Sequence, residues 1–318
     1  MKQLLNIKFM NQSAMQKVLY SLIPIFIFAI GTFGWRILIL AIVTCVSAML
    51  TEWMFQRKSK KPFTKAVLVS ALLFTLTLPP RTPFWVASIG IIFGITFARE
   101  AFGGFGRNVF NPAAAARAFV YVSFAKYLTA QWSAPSAVFM GGFTKYLTEP
   151  IDVIAQSTPM LIYRDTGVMA SYIDLFIGNI SGSMGEVSAL LILLSGLYLV
   201  IKKVAQIEII LSVFSGYFLM SFSLYYMGFP QVFNPLWGFL TGGLIFGAVF
   251  MATDPITSPR TFEARIIYGL LIGGITVVIR SFALFPGGIM FAILIANTFV
   301  PIMDEGVKYL KKRGVQNG

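Results

Sequence analysis

The sequence predicts an all-α, polytopic membrane protein with about ten transmembrane helices arranged as two inverted five-helix repeats. Of its 318 residues, 57% are hydrophobic and only 12% are charged. A soluble domain carries roughly 25% charged residues, so this chain has too few charged side chains to cover a surface exposed to water. Its apolar residues also fall in runs close to the roughly 20 residues that a helix needs to cross a bilayer. These observations exclude a soluble enzyme.

Ten such apolar runs follow one another along the chain. The first resembles a signal peptide, but it lacks a small-residue cleavage site and leads directly into a second run, so we predict a span. The predicted spans are residues 18–35, 37–55, 66–80, 84–98, 109–131, 187–201, 206–224, 236–253, 266–283 and 286–303.

Basic residues cluster after alternate spans. With ten spans and both termini cytoplasmic, every cluster lies on the cytoplasmic side, as the positive-inside rule requires. We therefore predict a multi-pass protein of the cell (inner) membrane, in contact with lipid. The net charge of +13 indicates topology rather than a nucleic-acid partner. The clusters are Lys2, Lys8 and Lys17; Arg57 to Lys65; Arg99, Arg107 and Arg117; Lys202 and Lys203; Arg260 and Arg265; and Lys308 to Arg313.

A polar stretch with several Pro, Gly and Ser residues separates the fifth and sixth spans. It divides the chain into a first transmembrane repeat, residues 1–131, an outer-face loop, 132–186, and a second repeat, 187–318. Five spans per half place the halves in opposite orientations, as in many transport folds. Long loops without a fold of their own are usually functional.

The composition excludes several redox sites. The chain has no His, so it has no imidazole metal site and no haem held through His. The single Cys45 can neither close an intrachain disulfide nor hold an iron–sulfur cluster, which needs several thiolates.

Three carboxylates lie at the predicted cytoplasmic ends of spans. This position is suitable for the mouth of an ion pathway. The alternative is ordinary solvation of helix ends, which produces the same pattern. Glu100 precedes a Gly-rich run with two amides, Asn108 and Asn111. Asp254 ends the eighth span and Asp304 the tenth. An acid near the membrane interior is a functional candidate because it is costly to bury.

Two segments of the outer loop offer groups for a phosphorylated ligand. DVIAQSTPM (152–160) holds adjacent hydroxyls, Ser157 and Thr158, with Asp152 upstream; the alternative is a plain turn before a proline. GNISGSMGEVS (178–188) includes Ser183 and opens the sixth span, where N–H groups and hydroxyls suit a phosphate.

Five motifs occur in the order of one family: GGFGRNVFNPA, DVIAQSTPM, GNISGSMGE, MATDPITSP and IANTFVPIMD. The chain resembles the NqrB/RnfD family, and within it the RnfD subunit of Rnf ion-translocating ferredoxin:NAD oxidoreductase complexes. That subunit is related to the NqrB subunit of the sodium-translocating NADH:quinone oxidoreductase. The resemblance covers nearly the whole chain. It implies a urea-transporter-like fold and coupled Na+ or H+ translocation by a subunit that is not a complete enzyme alone.

The resemblance also implies FMN bound covalently, as a phosphodiester, to Thr158. The chain has Ala155, Gln156 and Ser157 where the family commonly has Ser-Gly-Ala, which makes Ser157 a competing acceptor. A flavin transferase that acts outside the cytoplasm would attach the FMN, and the predicted topology places the loop there.

By the same resemblance, Glu100, Asp254 and Asp304 match positions linked to sodium movement, and the neighbourhood of Asn108 and Asn111 would hold a noncovalent flavin such as riboflavin. The implied partners are an external flavoprotein subunit and soluble subunits that handle NADH and ferredoxin.

Two alternatives remain: the quinone-reducing relative, which usually has a longer N-terminal extension, and a small-solute channel without flavin. A structural scaffold leaves the loop and the acids unexplained.

Overall fold

The computed structural model of the protein describes residues 9–57, 62–129, 131–146, 158–283, 285 and 287–316. Within these ranges the regular structure is helical, apart from one isolated bridge between Phe9 and Phe63. The helices are α1 Ser13–Phe33, α2 Arg36–Gln56, α3 Lys65–Thr77, α4 Phe84–Ala98, α5 Pro112–Ser123, α6 Ala125–Thr129, α7 Pro159–Thr166, α8 Tyr172–Ile177, α9 Ala189–Ile201, α10 Ile207–Tyr226, α11 Pro235–Leu240, α12 Leu244–Phe246, α13 Phe262–Phe282 and α14 Gly288–Gln316.

Six of the described helices are long and apolar enough to cross a membrane, and they correspond to the first, second, fourth, seventh, ninth and tenth predicted spans. Their outward faces carry large apolar side chains such as Ile23, Ile42 and Leu219, which are about half exposed or more. Such faces need an apolar solvent, so the fold is that of a multi-pass membrane protein.

The other four predicted spans are shorter or interrupted. The third and sixth, α3 and α9, have 13 residues each, about 20 Å of helix. The fifth begins only at Pro112 and changes direction after Ser123. The eighth stops at Leu240, because Gly242 has a φ of 59°, and resumes as α12 and a π-helical turn, Gly247–Met251. Within the described residues, the ten predicted spans therefore do not form ten uninterrupted helices.

The two halves pair their helices in the same order. In the first half α2 packs on α4 and α4 on α5; in the second half α10 packs on α13 and α13 on α14. Contacts of α1 with α9 and of α5 with α14 join the halves. The third span is short or interrupted in both halves, and such a matched pair marks the binding region in repeat-built transporters. The inverted orientation of the two repeats stays a prediction.

Candidate functional site

Thr158 lies at the N-terminus of α7 with its hydroxyl unused. A threonine at this position normally caps the helix by accepting a hydrogen bond from a backbone N–H. Thr158 makes no such bond, and its buried Oγ1 has no hydrogen-bond partner among the described residues. The hydroxyl is therefore free for another bond.

Thr158 lines a cavity of about 170 Å³, called here the Thr158 cavity. Its wall comes from six parts of the chain: the middle of α5, the end of α6 with Trp132, the first turn of α7, the segment before α9, the break between α11 and α12, and Gly287 before α14. The lining residues used below are Arg117, Tyr121, Trp132, Ser183, Glu186 and Gly243.

Two further polar groups in this wall lack partners within the described ranges. They are Nη1 of Arg117, a residue 5% exposed, and Nε1 of Trp132, 9% exposed. Thr158, Arg117 and Trp132 thus line one cavity, and each carries a buried polar atom without a partner in the described ranges. Buried polar groups in folded proteins are nearly always hydrogen-bonded, so this cluster indicates a ligand site.

Backbone hydrogen bonds hold the segment before α9 in place. The N–H of Met184 donates to the carbonyl of Leu78 at 3.1 Å, and the N–H of Gly185 donates to that of Leu76 at 2.7 Å. These carbonyls lie at the end of α3. The bonds direct Ser183 and Glu186 into the cavity, where Gly243 leaves room for the Glu186 carboxylate because it has no side chain.

Three arginines and one glutamate form a charge cluster at this site. Glu186 interacts electrostatically with Arg117 and Arg280, and burial raises its pKa above the usual range against the opposing effect of Arg117. Arg280 donates to the carbonyl of Gly238 at 3.0 Å. Arg164 of α7 donates to the carbonyl of Arg280 and so docks α7 on α13.

The size of the site suits an elongated ligand. A second cavity of about 430 Å³ borders the first and shares Pro159, Ile180 and Ser181 with it. A 150 Å³ apolar cavity already holds benzene, so the two spaces together have room for a ring and a polar chain. The residues present therefore fit a flavin nucleotide whose phosphate lies near Thr158.

The asparagine cavity lies at the other end of α5. It has about 50 Å³ and is lined by polar side chains, among them Arg99, Asn108, Asn111, Thr253 and Asp254. This volume holds a few water molecules, so a ring system would require the lining helices to separate. A second flavin there stays a prediction.

Asn111 makes hydrogen bonds to both halves of the molecule. Its Oδ1 accepts from the N–H groups of Ala113 and Ala114, which caps α5, while its Nδ2 donates to the carbonyl of Met251 at 3.1 Å. Asn234 caps α11 in the same way, through the same VFNP sequence.

A buried ion pair beside this cavity was not predicted from the sequence. Nη2 of Arg99 donates to Glu52 at 2.6 Å and to Thr64 Oγ1 at 2.6 Å, and both charged side chains are at most 2% exposed. Glu100 lies 3.5 Å from Arg99 Nε. The sequence held a signal for Glu52, since an acid inside an apolar span is a functional candidate.

The remaining acids lie apart from each other. Asp254 accepts from the N–H of Ile256 and the hydroxyl of Thr257, and burial raises its pKa against these two bonds. Asp304, on α14, instead accepts hydrogen bonds from Arg260 and Thr261, immediately before α13. It does not line the asparagine cavity. The role of these acids in ion movement stays a prediction.

The structure thus brings Thr158 and Ser183 together at one cavity, and Asn108, Asn111 and Asp254 at another. Asp152 and Ser157 lie outside the described residues. The grouping of Arg117 with the loop cations Arg99 and Arg107 is wrong: Arg117 lies inside α5, roughly 9 Å along the helix axis from Asn111, because α5 starts at Pro112.

The fold defines a multi-pass membrane protein, and residues of both halves line its candidate ligand site. The chain belongs to the NQR2, RnfD, RnfE family, whose model matches residues 6–312. One relative is the subunit named D of the Na(+)-translocating ferredoxin:NAD(+) oxidoreductase complex of Acetobacterium woodii. The two are 33% identical over 309 residues, which cover 95% of this chain and 90% of that one.

Two other relatives are the subunits named B of Na(+)-translocating NADH-quinone reductases. The chain is 36% identical over 276 residues to that of Klebsiella pneumoniae and 37% identical over 271 residues to that of Pseudoalteromonas atlantica. The matches cover 83% and 82% of this chain but 65% and 64% of those relatives. These homologues are subunits of ion-translocating oxidoreductases.

Proposed function

We propose that this protein is the membrane subunit of an Rnf-type ferredoxin:NAD oxidoreductase that carries electrons through FMN bonded to Thr158 and contributes to Na+ or H+ translocation. The observation that carries the proposal concerns Thr158, Arg117 and Trp132: all three residues line one cavity, and each has a buried polar atom without a partner among the described residues. The similarity to the Acetobacterium woodii subunit over 90% of that relative's length supports the Rnf assignment over the quinone-reducing one.

The residues of this chain fix the position of the flavin. The oxygen of Thr158 holds the phosphoryl group, so the cofactor cannot diffuse away and its distance to the next carrier is constant. The walls of the cavity exclude water, and the buried arginines offset negative charge. When bound, FMN supplies the electron-transfer chemistry that no side chain of this chain provides.

Ion movement is assigned to the polar groups around the asparagine cavity. Asp254 and Thr253 offer the oxygen ligands that a hard cation prefers, next to the ion pair of Arg99 and Glu52. Both cavities lie along α5, so a change of charge at one changes the cost of a cation at the other. External flavoprotein and soluble NADH- and ferredoxin-handling subunits complete the proposed enzyme.

Flavin fluorescence of the denatured chain in a gel tests this proposal. Membranes of a host with an active flavin transferase should give a fluorescent band for the wild type and none for Thr158→Val. Thr166→Val is the matched control, because its hydroxyl lies on α7 but bonds only the carbonyl of Ile162 and the N–H of Val168. A wild-type band without flavin fluorescence would favour the alternative function as a small-solute channel.

A further inference from the structure

The buried charges beside the Thr158 cavity do not balance. Arg117 and Arg280 are 5% and 2% exposed, and each has N–H groups without a hydrogen-bond partner in the described part of the chain. Glu186 is the carboxylate that interacts with both. Two guanidinium groups and one carboxylate leave one positive charge, and an uncompensated buried charge is strongly unfavourable. The cluster therefore favours a further anion.

The geometry shows where that anion fits. Thr158, Pro159, Met160 and Leu161 form the first turn of α7, and all four line the cavity that Arg117 also lines. Backbone N–H groups and the helix dipole favour an anion at a helix N-terminus. Arg117 is the second, independent feature, because this residue lines the same cavity and its buried Nη1 has no partner among the described residues.

We propose that Arg117 is the positioning residue for the phosphate: with the first turn of α7, its guanidinium binds the phosphate monoester of a flavin nucleotide beside Thr158 Oγ1. The inference rests on the proposed function and deepens it. Glu186 orients Arg117 by its charge, and the site selects phosphorylated flavin over riboflavin. In a chain that carries the ester, the same contacts would hold the phosphodiester.

The experiment uses the full chain carrying Thr158→Val, which cannot form the ester, and measures equilibrium binding of FMN and of riboflavin by fluorescence. We expect FMN to bind at least about tenfold more tightly, the size of one charge-assisted hydrogen bond, and inorganic phosphate to compete with FMN only. Adding Arg117→Gln should bring the ratio of the two affinities close to one, and Arg117→Lys should restore part of it.

The matched control is Arg36→Gln in the same background. Arg36 is a partly buried arginine that binds the carbonyls of Pro80 and Thr82 and does not line the cavity, so the ratio should not change. A purely structural role of Arg117 would lower both affinities equally and leave the ratio unchanged.

Equal affinities for FMN and riboflavin in the Thr158→Val chain would overturn the inference, and so would a ratio that survives Arg117→Gln. If the chain with Arg117→Gln does not fold, the Thr158→Val chain still tests the inference through its affinities for FMN and riboflavin and through competition by phosphate. A different result would overturn the proposed function alone. In that case the wild-type chain would carry no flavin ester, while the Thr158→Val chain would still bind FMN more tightly than riboflavin.

Discussion

The backbone N–H of Asn111 donates to Oδ1 of Asn297, 186 residues later, at 3.2 Å. Asn297 also donates to the carbonyl of Thr257 at 3.2 Å, and Asn111 donates to that of Met251. Both asparagines are at most 3% exposed. This bond ties the start of α5 in the first half to α14 in the second, at the edge of the asparagine cavity.

Asn111→Ala should destabilise the protein more than Asn234→Ala. Both lose a helix cap, worth about 1 kcal/mol, but only Asn111→Ala also removes the side-chain hydrogen bond to the carbonyl of Met251, worth about 0.5–1.5 kcal/mol more. Thermal unfolding of the two purified variants measures the difference. Equal melting temperatures would show that the bond between the halves contributes little.

Glu52→Gln should be strongly destabilising, because it leaves Arg99 buried without its closest carboxylate. Breaking a buried pair costs about 3–5 kcal/mol, whereas a partly exposed pair is worth about 0–1 kcal/mol. Glu208→Gln is the control, since Glu208 pairs with Arg265 at 3.6 Å and both are at least 25% exposed. Urea unfolding midpoints of the two variants give the comparison. Similar losses would contradict a stabilising role of the buried pair.

Gly243→Ala should reduce the covalent flavin content and lower the melting temperature. A methyl group there overlaps the Glu186 carboxylate, and overpacking costs about 1–3 kcal/mol. Gly287 lines the same cavity, but a methyl group on it meets no atom within 4 Å, so Gly287→Ala should retain both properties. Fluorescence per mole of chain is the readout. Equal flavin content in both variants would argue against a tightly packed site.

Asp254→Asn should raise the Na+ concentration for half-maximal turnover of the complex by about tenfold, the loss of one charge-assisted contact. Because burial raises the Asp254 pKa, protons compete with Na+, and the half-saturating Na+ concentration of the wild type should rise as the pH falls. The variant should lack this dependence. Glu305→Gln, at an exposed side chain paired with Lys308, is the control. If the variant kept the wild-type Na+ affinity and its pH dependence, Asp254 would not be part of the Na+ pathway.

The membrane class and the helix order could be predicted from the sequence, because apolar length and cation placement are local properties. The interrupted spans could not be predicted with the same rules. Apolar content continues through Thr241 and Gly243, and only the backbone shows that the helix stops there. The Asn-Pro start of α5 was visible as a motif, but its capping geometry was not.

The candidate site was predicted in part. Thr158 and Ser183 came from motif resemblance and local chemistry, and the structure brings them to one cavity. Arg117 and Glu186 were missed as members of the site, because they are distant in sequence and only the fold brings the middle of α5 close to the segment before α9. Glu52 was missed because one acid in an apolar run gives no indication of its partner.

The central claim is that Thr158 carries the flavin phosphate, and peptide mass spectrometry of the wild-type chain tests it most directly. We predict a peptide spanning residues 152–164 with an added FMN phosphoryl mass, and fragment ions that place this mass on Thr158. An unmodified peptide from a host with an active flavin transferase, or the same mass on Ser157, would contradict it.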